Sequence, residues 1–415
     1  MPVPSPIDTP APMPAPDTAT GALLAVVEAT LRDLHPGATD LPPVMLASVL
    51  DQDLGFDSLA RMELLLRAEA AFGVGLPAET LQRAETVADL WHAVQQGLVR
   101  RGAATGTPVK PAPVVMPPAQ PSMAGAVPPD EPAAATTLLQ VLDWHLAAHP
   151  EQTQVVVLSE DGETPISYRQ LAEASAAVAA GLQRAGVVPR QSVAIMLPTC
   201  ADYFSAYFGI LRAGAIPVPI YPPARASQLE DHVLRHTGIL SNAQAVLMVT
   251  VPEAMPVARL LQARVPGLRH VVTPQQLAQP GEAPAAVAVR GEDIAFIQYT
   301  SGSTGNPKGV ALTHANLLAN IRAMAHAIEA TPRDVFVSWL PLYHDMGLIG
   351  AWLAPLYVGF PLVVMSPLLF LARPLRWLQA VHRWRGTLSA GPNFAYELCL
   401  KRVADADLAG LDLSC

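Results

Sequence analysis

A chain of 415 residues has room for two to four domains, and 51 % apolar against 15 % charged residues makes it globular rather than disordered. A formal charge of −9 argues against nucleic acid as the main partner, because phosphate backbones call for basic patches. Three cysteines, odd in number and far apart at positions 200, 399 and 415, argue against a disulfide frame and fit a reducing, cytoplasmic setting.

Residues 1–17, "MPVPSPIDTPAPMPAPD", have no basic start and no apolar run, so they read as a disordered Pro/Ala tail and not as a secretory signal. Residues 18–100 read as a small helical bundle. "GALLAVVEATLRDL" sets Leu23, Val26, Val27, Ala29, Leu31 and Leu34 near one face. "SLARMELLLRAEAAFG" repeats the pattern with Leu59, Met62, Leu65, Leu66 and Ala70, and Gly73 stops it. "TVADLWHAVQQGLV" starts at an N-cap, Thr86, and presents Val87, Leu90, Trp91, Val94 and Leu98. A long loop, 35–57, joins the first two helices. Eleven acids against five arginines make this segment the acidic part of the chain.

Ser58 sits at the start of the second helix, directly after Asp57, with no histidine or lysine nearby to activate it. Taken alone it is either an N-cap or a seat for a phosphodiester at the positive end of the helix dipole. The run Asp53-Leu54-Gly55-Phe56-Asp57-Ser58-Leu59 resembles the signature of acyl carrier proteins. The resemblance implies that the Ser58 hydroxyl carries a 4′-phosphopantetheine arm, installed by a separate phosphopantetheinyl transferase. The nucleophile is then the thiol at the far end of that arm. An acidic carrier face that selects partners is expected with it, and charge reversal at Glu63 and Glu69 is its natural probe.

Residues 101–136 are rich in proline and alanine and read as a semi-extended linker. From 137 to 415 strand-like and helix-like runs alternate, which argues for an α/β fold with a largely parallel sheet. The strand candidates are "TQVVVL", "SVAIMLP", "AIPVPI", "AVLMV", "IAFIQYT", "DVFVSWL", "PLVVM" and "GTLSA". Met346–Ala372 carries no charge and is long enough to span a bilayer, but Pro355, Pro361 and Pro367 interrupt it. It reads as a buried helix, then a strand, then a turn, with no membrane span.

"YTSGSTGNPKGV", residues 299–310, follows the apolar strand "IAFIQ" and precedes a helix beginning around Thr313. Glycines let the backbone approach phosphates, Thr300, Ser301, Ser303 and Thr304 offer hydroxyls, and Lys308 adds charge. The spacing is neither GxxxxGK[ST] nor GxGxxG, so neither a P-loop nor a dinucleotide site follows. The loop is similar to the phosphate-binding signature of the adenylate-forming superfamily. That resemblance implies that Thr300, Ser301, Gly302, Ser303, Thr304, Gly305 and Lys308 hold the phosphates of ATP while a carboxylate attacks the α-phosphate. "PVPIYPPARASQLEDHV" (217–233), "SWLPLYHDMGLIG" (338–350) and "AGPNFAYELCLKRV" (390–403) resemble the fatty acyl-AMP ligase branch. For that branch His344 is expected at the mouth of an acyl pocket whose wall includes Gly391, Pro392, Asn393 and Phe394. Lys308 and His344 become the expected catalytic residues. Read singly, His344 could be a core histidine, Asp345 a helix cap and "PNFAY" a helix start with Pro392 in its first turn.

The expected architecture is therefore multidomain: a small all-α carrier bundle (18–100), the linker, and the N-terminal portion (137–415) of an α/β adenylate-forming domain. The implied activity is ATP- and Mg²⁺-dependent activation of a fatty acid, with transfer to a carrier thiol and on to downstream acyl-accepting enzymes. Family members continue with adenine- and ribose-binding segments, so the Mg²⁺ ligand is expected beyond Cys415 and the chain reads as a fragment or a truncated enzyme. An acyl-CoA synthetase and a non-catalytic carrier or acyl-binding module stay open as alternatives.

Overall fold

The computed structural model describes residues 16–34, 41–56, 58–74, 76, 80, 84–103, 132–222, 229–279, 283–300 and 307–414. Of the expected tail (1–17) and linker (101–136), residues 1–15 and 104–131 lie outside them, while Pro16 and Asp17 open a helix and residues 101–103 close another. The chain divides into two compact units, residues 1–108 and 109–415.

In the first unit the described helices include Pro16–Leu34, Ser58–Phe72 and Val87–Ala103. The first starts earlier than its apolar pattern, on Pro16, since proline's fixed φ suits the first helical turn. The second ends where Gly73 takes φ +62°. Thr86 caps the third: its Oγ1 accepts from Asp89 N at 3.1 Å, and Asp89 Oδ2 accepts from Thr86 N at 2.9 Å. Leu23, Val27, Leu31, Ala60, Leu64, Leu65, Ala68, Val87, Leu90 and Val94 are all buried in one core. Leu65, expected on the inward face, is buried there together with Ala60, Leu64 and Ala68; the side chains of Leu59, Met62, Leu66 and Ala70 lie outside the described residues.

The described residues of the second unit form three sheets. Strands β1 (Thr153–Leu158), β2 (Glu163–Ser167), β9 (Phe336–Ser338) and β10 (Leu362–Met365) form one, in the order β2-β1-β10-β9. Strands β3 (Ser192–Met196), β4 (Ile216–Pro219), β5 (Ala245–Thr250) and β6 (His270–Val272) form an all-parallel second, in the order β4-β3-β5-β6. Strands β7 (Ile294–Thr300) and β8 (Lys308–Thr313) make an antiparallel pair. The expected largely parallel pairing is present, divided over two mainly parallel sheets, with an antiparallel hairpin beside them. "GTLSA" contributes only a bridge from Leu388 to Phe336.

Helix starts follow local chemistry. Thr137, Ser167, Thr273 and Thr313 each head a capping box, closed by Gln140, Gln170, Gln276 and Asn316. The charge-free stretch is core. Leu348, Ala351, Trp352, Leu356 and Tyr357 are buried, and Trp352 lies edge-on to Phe204 at 4.7 Å while its Nε1 donates to Gln154 Oε1 at 3.1 Å. After β10 the chain enters a helix, Pro367–Ala372, where a turn was expected; Ser366 caps it and Pro367 occupies its first turn. Among the described residues no helix is long and apolar enough to cross a membrane.

Candidate active site and carrier helix

The loop before Ser58 is held from both sides. Leu54 and Phe56 are buried, Gly55 takes φ +69°, and Asp53 Oδ2 accepts from Val49 N at 2.8 Å. Phe56 N donates to Leu50 O at 2.8 Å, and Leu50 N donates to Glu85 O at 2.8 Å. These contacts deliver the chain to the first residue of the second helix, Ser58, where backbone N–H groups lack intrahelical partners. Asp57 and the Ser58 side chain lie outside the description. Neither acid chosen to probe the surface is a free charge: Glu63 pairs with Arg67, which also reaches Asp33 at 2.6 Å, and Glu69 Oε1 accepts from Leu76 N at 2.6 Å.

In the second unit, residues 301–306 of the glycine-rich run, including Ser301, Gly302, Ser303, Thr304 and Gly305, lie outside the described residues. The two ends of the run are seen. Thr300 and Lys308 face each other in register where β7 ends and β8 begins, and both are exposed. The expected strand–loop–helix is therefore a β-hairpin, with β8 intervening before the helix His314–Ala327. Gly309 is a close-approach position, since a Cβ there would lie 3.0 Å from the Tyr299 ring. Tyr299 in turn donates through its hydroxyl to Asn242 Oδ1 at 2.5 Å.

Behind the hairpin, Gln298 is buried on β7 and its Nε2 donates to Tyr343 O at 2.9 Å. Tyr203 OH donates to Leu342 O at 2.7 Å, and His344 N donates to Pro341 O at 3.1 Å, so this turn is fixed from below. His344 is left partly exposed, with Nδ1 2.6 Å from Asp345 Oδ1. That hydrogen bond, ahead of burial, holds the Asp345 carboxyl below the ordinary carboxylate range. Asp345 Oδ1 also accepts from Met346 N at 2.7 Å, so Asp345 is a cap as well as the partner of His344. The helix it starts, Met346–Leu353, is a π-helix, a form frequent at functional sites.

Trp339 opens this segment, fully buried and stacked on Phe370 at 4.1 Å. Gly391 lies against its edge, where a Cβ would stand 3.3 Å from Cζ2. Pro392 takes the cap position of the helix Asn393–Arg402 and not its first turn. Asn393 is exposed, whereas Phe394 is buried, 5.8 Å from Trp339. On the other side Tyr221 lies 5.9 Å from Tyr343 and 4.5 Å from His236, which stacks on His232 at 3.9 Å. Burial pushes His232 down to about 4 and His236 well below its ordinary value, so both rings are neutral near pH 7.

The three later motifs and the hairpin strand thus meet around residues 339–345. Sequence reasoning missed the joints: Gln298, Trp339, Tyr343 and Tyr221 lie inside the quoted stretches, but nothing local marks them as contacts between stretches. Residues 142–414 match the family described as AMP-binding enzyme. The chain belongs to that family. Residues 29–94 match a phosphopantetheine attachment site.

This AMP-binding chain is similar to the medium-chain-fatty-acid–[acyl-carrier-protein] ligase JamA of Moorena producens, 35 % identical over 67 % of this chain and 48 % of that protein. It is also similar to the long-chain-fatty-acid–AMP ligase FadD23 of Mycobacterium tuberculosis, 35 % identical over 64 % of this chain and 47 % of that one. A solved fatty acyl-adenylate ligase from L. pneumophila, in complex with acyl adenylate and pyrophosphate, matches with TM-score 0.61 and 32 % identity, covering 70 % of this chain and 50 % of that one. The chain spans about half the length of the curated relatives it matches.

Proposed function

We propose that this protein works in the activation of a fatty acid as its acyl-adenylate and in transfer of the acyl group to a carrier thiol. The observation that carries the reading is the Gln298–Tyr343 hydrogen bond, which joins the strand leading into the phosphate-type loop to the turn bearing His344. Nucleotide phosphates and an acyl carboxylate would then meet within one buried framework.

Thr300, Ser301, Gly302, Ser303, Thr304, Gly305 and Lys308 would hold the ATP phosphates. His344 and the 391–394 segment would bound the acyl and adenylate pocket, with Phe394 acting from beneath as packing. A carboxylate oxygen attacks the α-phosphorus, and the bond to the β,γ-pyrophosphate breaks. Positioning and electrostatic help at the phosphates matter more here than a general base, because a carboxylate is already an adequate nucleophile. Mg²⁺ would accompany the nucleotide; among the described residues no group of three or more His, Cys, Asp or Glu is placed to hold a metal.

A 4′-phosphopantetheine on Ser58 would supply the thiol that receives the acyl group, with AMP leaving. The residues fit that attachment: Leu54 and Phe56 anchor the approach and Ser58 begins a helix. A phosphopantetheinyl transferase and a downstream acyl acceptor are the implied partners.

Intact mass tests the reading. Co-expression with a phosphopantetheinyl transferase should add one phosphopantetheine, absent in Ser58→Ala. Addition of ATP, Mg²⁺ and mixed fatty acids should then add one acyl group. No phosphopantetheine on the wild-type chain overturns the carrier assignment. Phosphopantetheine without ATP-dependent acylation overturns self-loading by this chain.

A further inference from the structure

A cavity of about 220 Å³ opens at the carboxyl ends of β1 and β10, apart from the residues assigned above. Leu158 and Met365, the last register pair of those strands, form its floor with Leu369 and Trp384. Glu163 stands opposite Leu158 in the antiparallel register of β2 and closes one side. The far wall is the helix Leu375–Trp384, which turns Arg376, Gln379, Ala380 and Arg383 toward the space at spacings of three and four. Ligands of open α/β sheets favour this end of parallel strands, and small-molecule sites combine apolar walls with a few placed polar groups.

The polar groups sort by charge. Glu163 is already matched, since Arg383 Nη2 donates to its Oε2 at 2.9 Å. Among the described residues Arg376 pairs only with Glu160, 4.0 Å away and largely exposed, which is beyond hydrogen-bond distance. His382 accepts at Nδ1 from Asp412 N at 2.9 Å, which places its ring proton on Nε2 as a donor. The Arg376 guanidinium and one imidazole N–H thus stand beside an apolar floor without a hydrogen-bond partner among the described residues, Glu160 being a solvent-facing counter-charge to Arg376.

We infer that this cavity binds a small organic carboxylate, its apolar body on Leu158, Met365 and Trp384 and its carboxylate on Arg376 and His382. An acid smaller than a drug-sized ligand suits the volume. A basic ligand is opposed by Arg376, and a neutral one forgoes the charge-assisted hydrogen bond.

The test uses the full chain labelled with ¹⁵N at tryptophan, with the Trp384 indole signal identified by its loss in Trp384→Phe. Phenylacetate should shift that signal saturably, about tenfold more tightly than 2-phenylethanol, and 2-phenylethylamine should leave it in place. Arg376→Met, at a partly exposed position whose partner among the described residues is the distant Glu160, should weaken phenylacetate about tenfold and leave 2-phenylethanol unchanged. No saturable shift at Trp384, an equal response to acid and alcohol, an unaltered Arg376→Met, or a shift confined to Trp339 would each overturn the assignment.

Discussion

Gln298 on β7 donates to the carbonyl of Tyr343 at 2.9 Å, and through this one bond the hairpin and the His344 turn share a position. Gln298→Leu keeps the bulk and removes the donor. A loss of about 1–2 kcal/mol in stability is expected, as for removal of a buried hydrogen-bonding partner. ATP–pyrophosphate exchange should fall by more than the loss of folded protein explains. Equal exchange per folded molecule would separate this bond from the site.

Gly347 has no room for a side chain: a Cβ would lie 2.1 Å from Pro341 O, in the turn that carries His344. Gly347→Ala should cost about 1–3 kcal/mol through overpacking. Thermal unfolding of the variant measures it, and an unchanged midpoint would show that the turn yields without strain.

Lys308 is exposed at the end of the hairpin, so its role is separable from folding. Lys308→Ala should leave the melting temperature in place and weaken ATP binding about tenfold or more, the scale of a lost charge-assisted contact. Isothermal titration with ATP reads this directly, and unaltered affinity would remove Lys308 from the phosphate site.

His145 is fully buried, and desolvation pushes its imidazole from 6.5 down to about 4. His314 is lowered to about 4 for the same cause. Between pH 6.5 and about 4 the unfolded chain takes up protons that the folded chain refuses. Stability is therefore full above that window, falls as pH drops through it, and levels off below. The loss through His145 alone is on the order of 3 kcal/mol. Urea midpoints at pH 7.5, 6 and 5 should decline in step, with a shallower slope in His145→Phe. A flat profile would mean that the histidines are accessible to protons in the folded state.

In the first unit, Glu69 Oε1 accepts from Leu76 N at 2.6 Å, which gives this acid a structural duty. Glu69→Lys should lower the stability of that unit by about 1–2 kcal/mol. Loss of phosphopantetheine loading in the variant would then track loss of helix by circular dichroism. Full helicity with lost loading would assign Glu69 to partner recognition instead.

Much of this was legible in the chain itself. β7 spans the run "IAFIQYT" residue for residue, Thr86 caps its helix, and the phosphopantetheine and AMP-binding signatures stand on short contiguous stretches. Such features depend on neighbours within a few positions, so local chemistry suffices. Strand β8 escaped notice because Lys308–Thr313 follows a glycine-rich run and becomes a strand only by pairing with β7. The helix Pro367–Ala372 escaped because its proline reads equally as a turn until Ser366 is seen to cap it. On the inward face of Ser58–Phe72, Leu65 follows from the apolar pattern, whereas Ala60, Leu64 and Ala68 take their places there through packing against the other helices of the bundle. Tertiary structure alone decided the convergence at residues 339–345, where Gln298, Tyr221, Phe370 and Gly391 arrive from four separate stretches. Each of those contacts closes a loop of tens of residues, and a linear sequence carries no local mark of which distant surface will fill the space beside it.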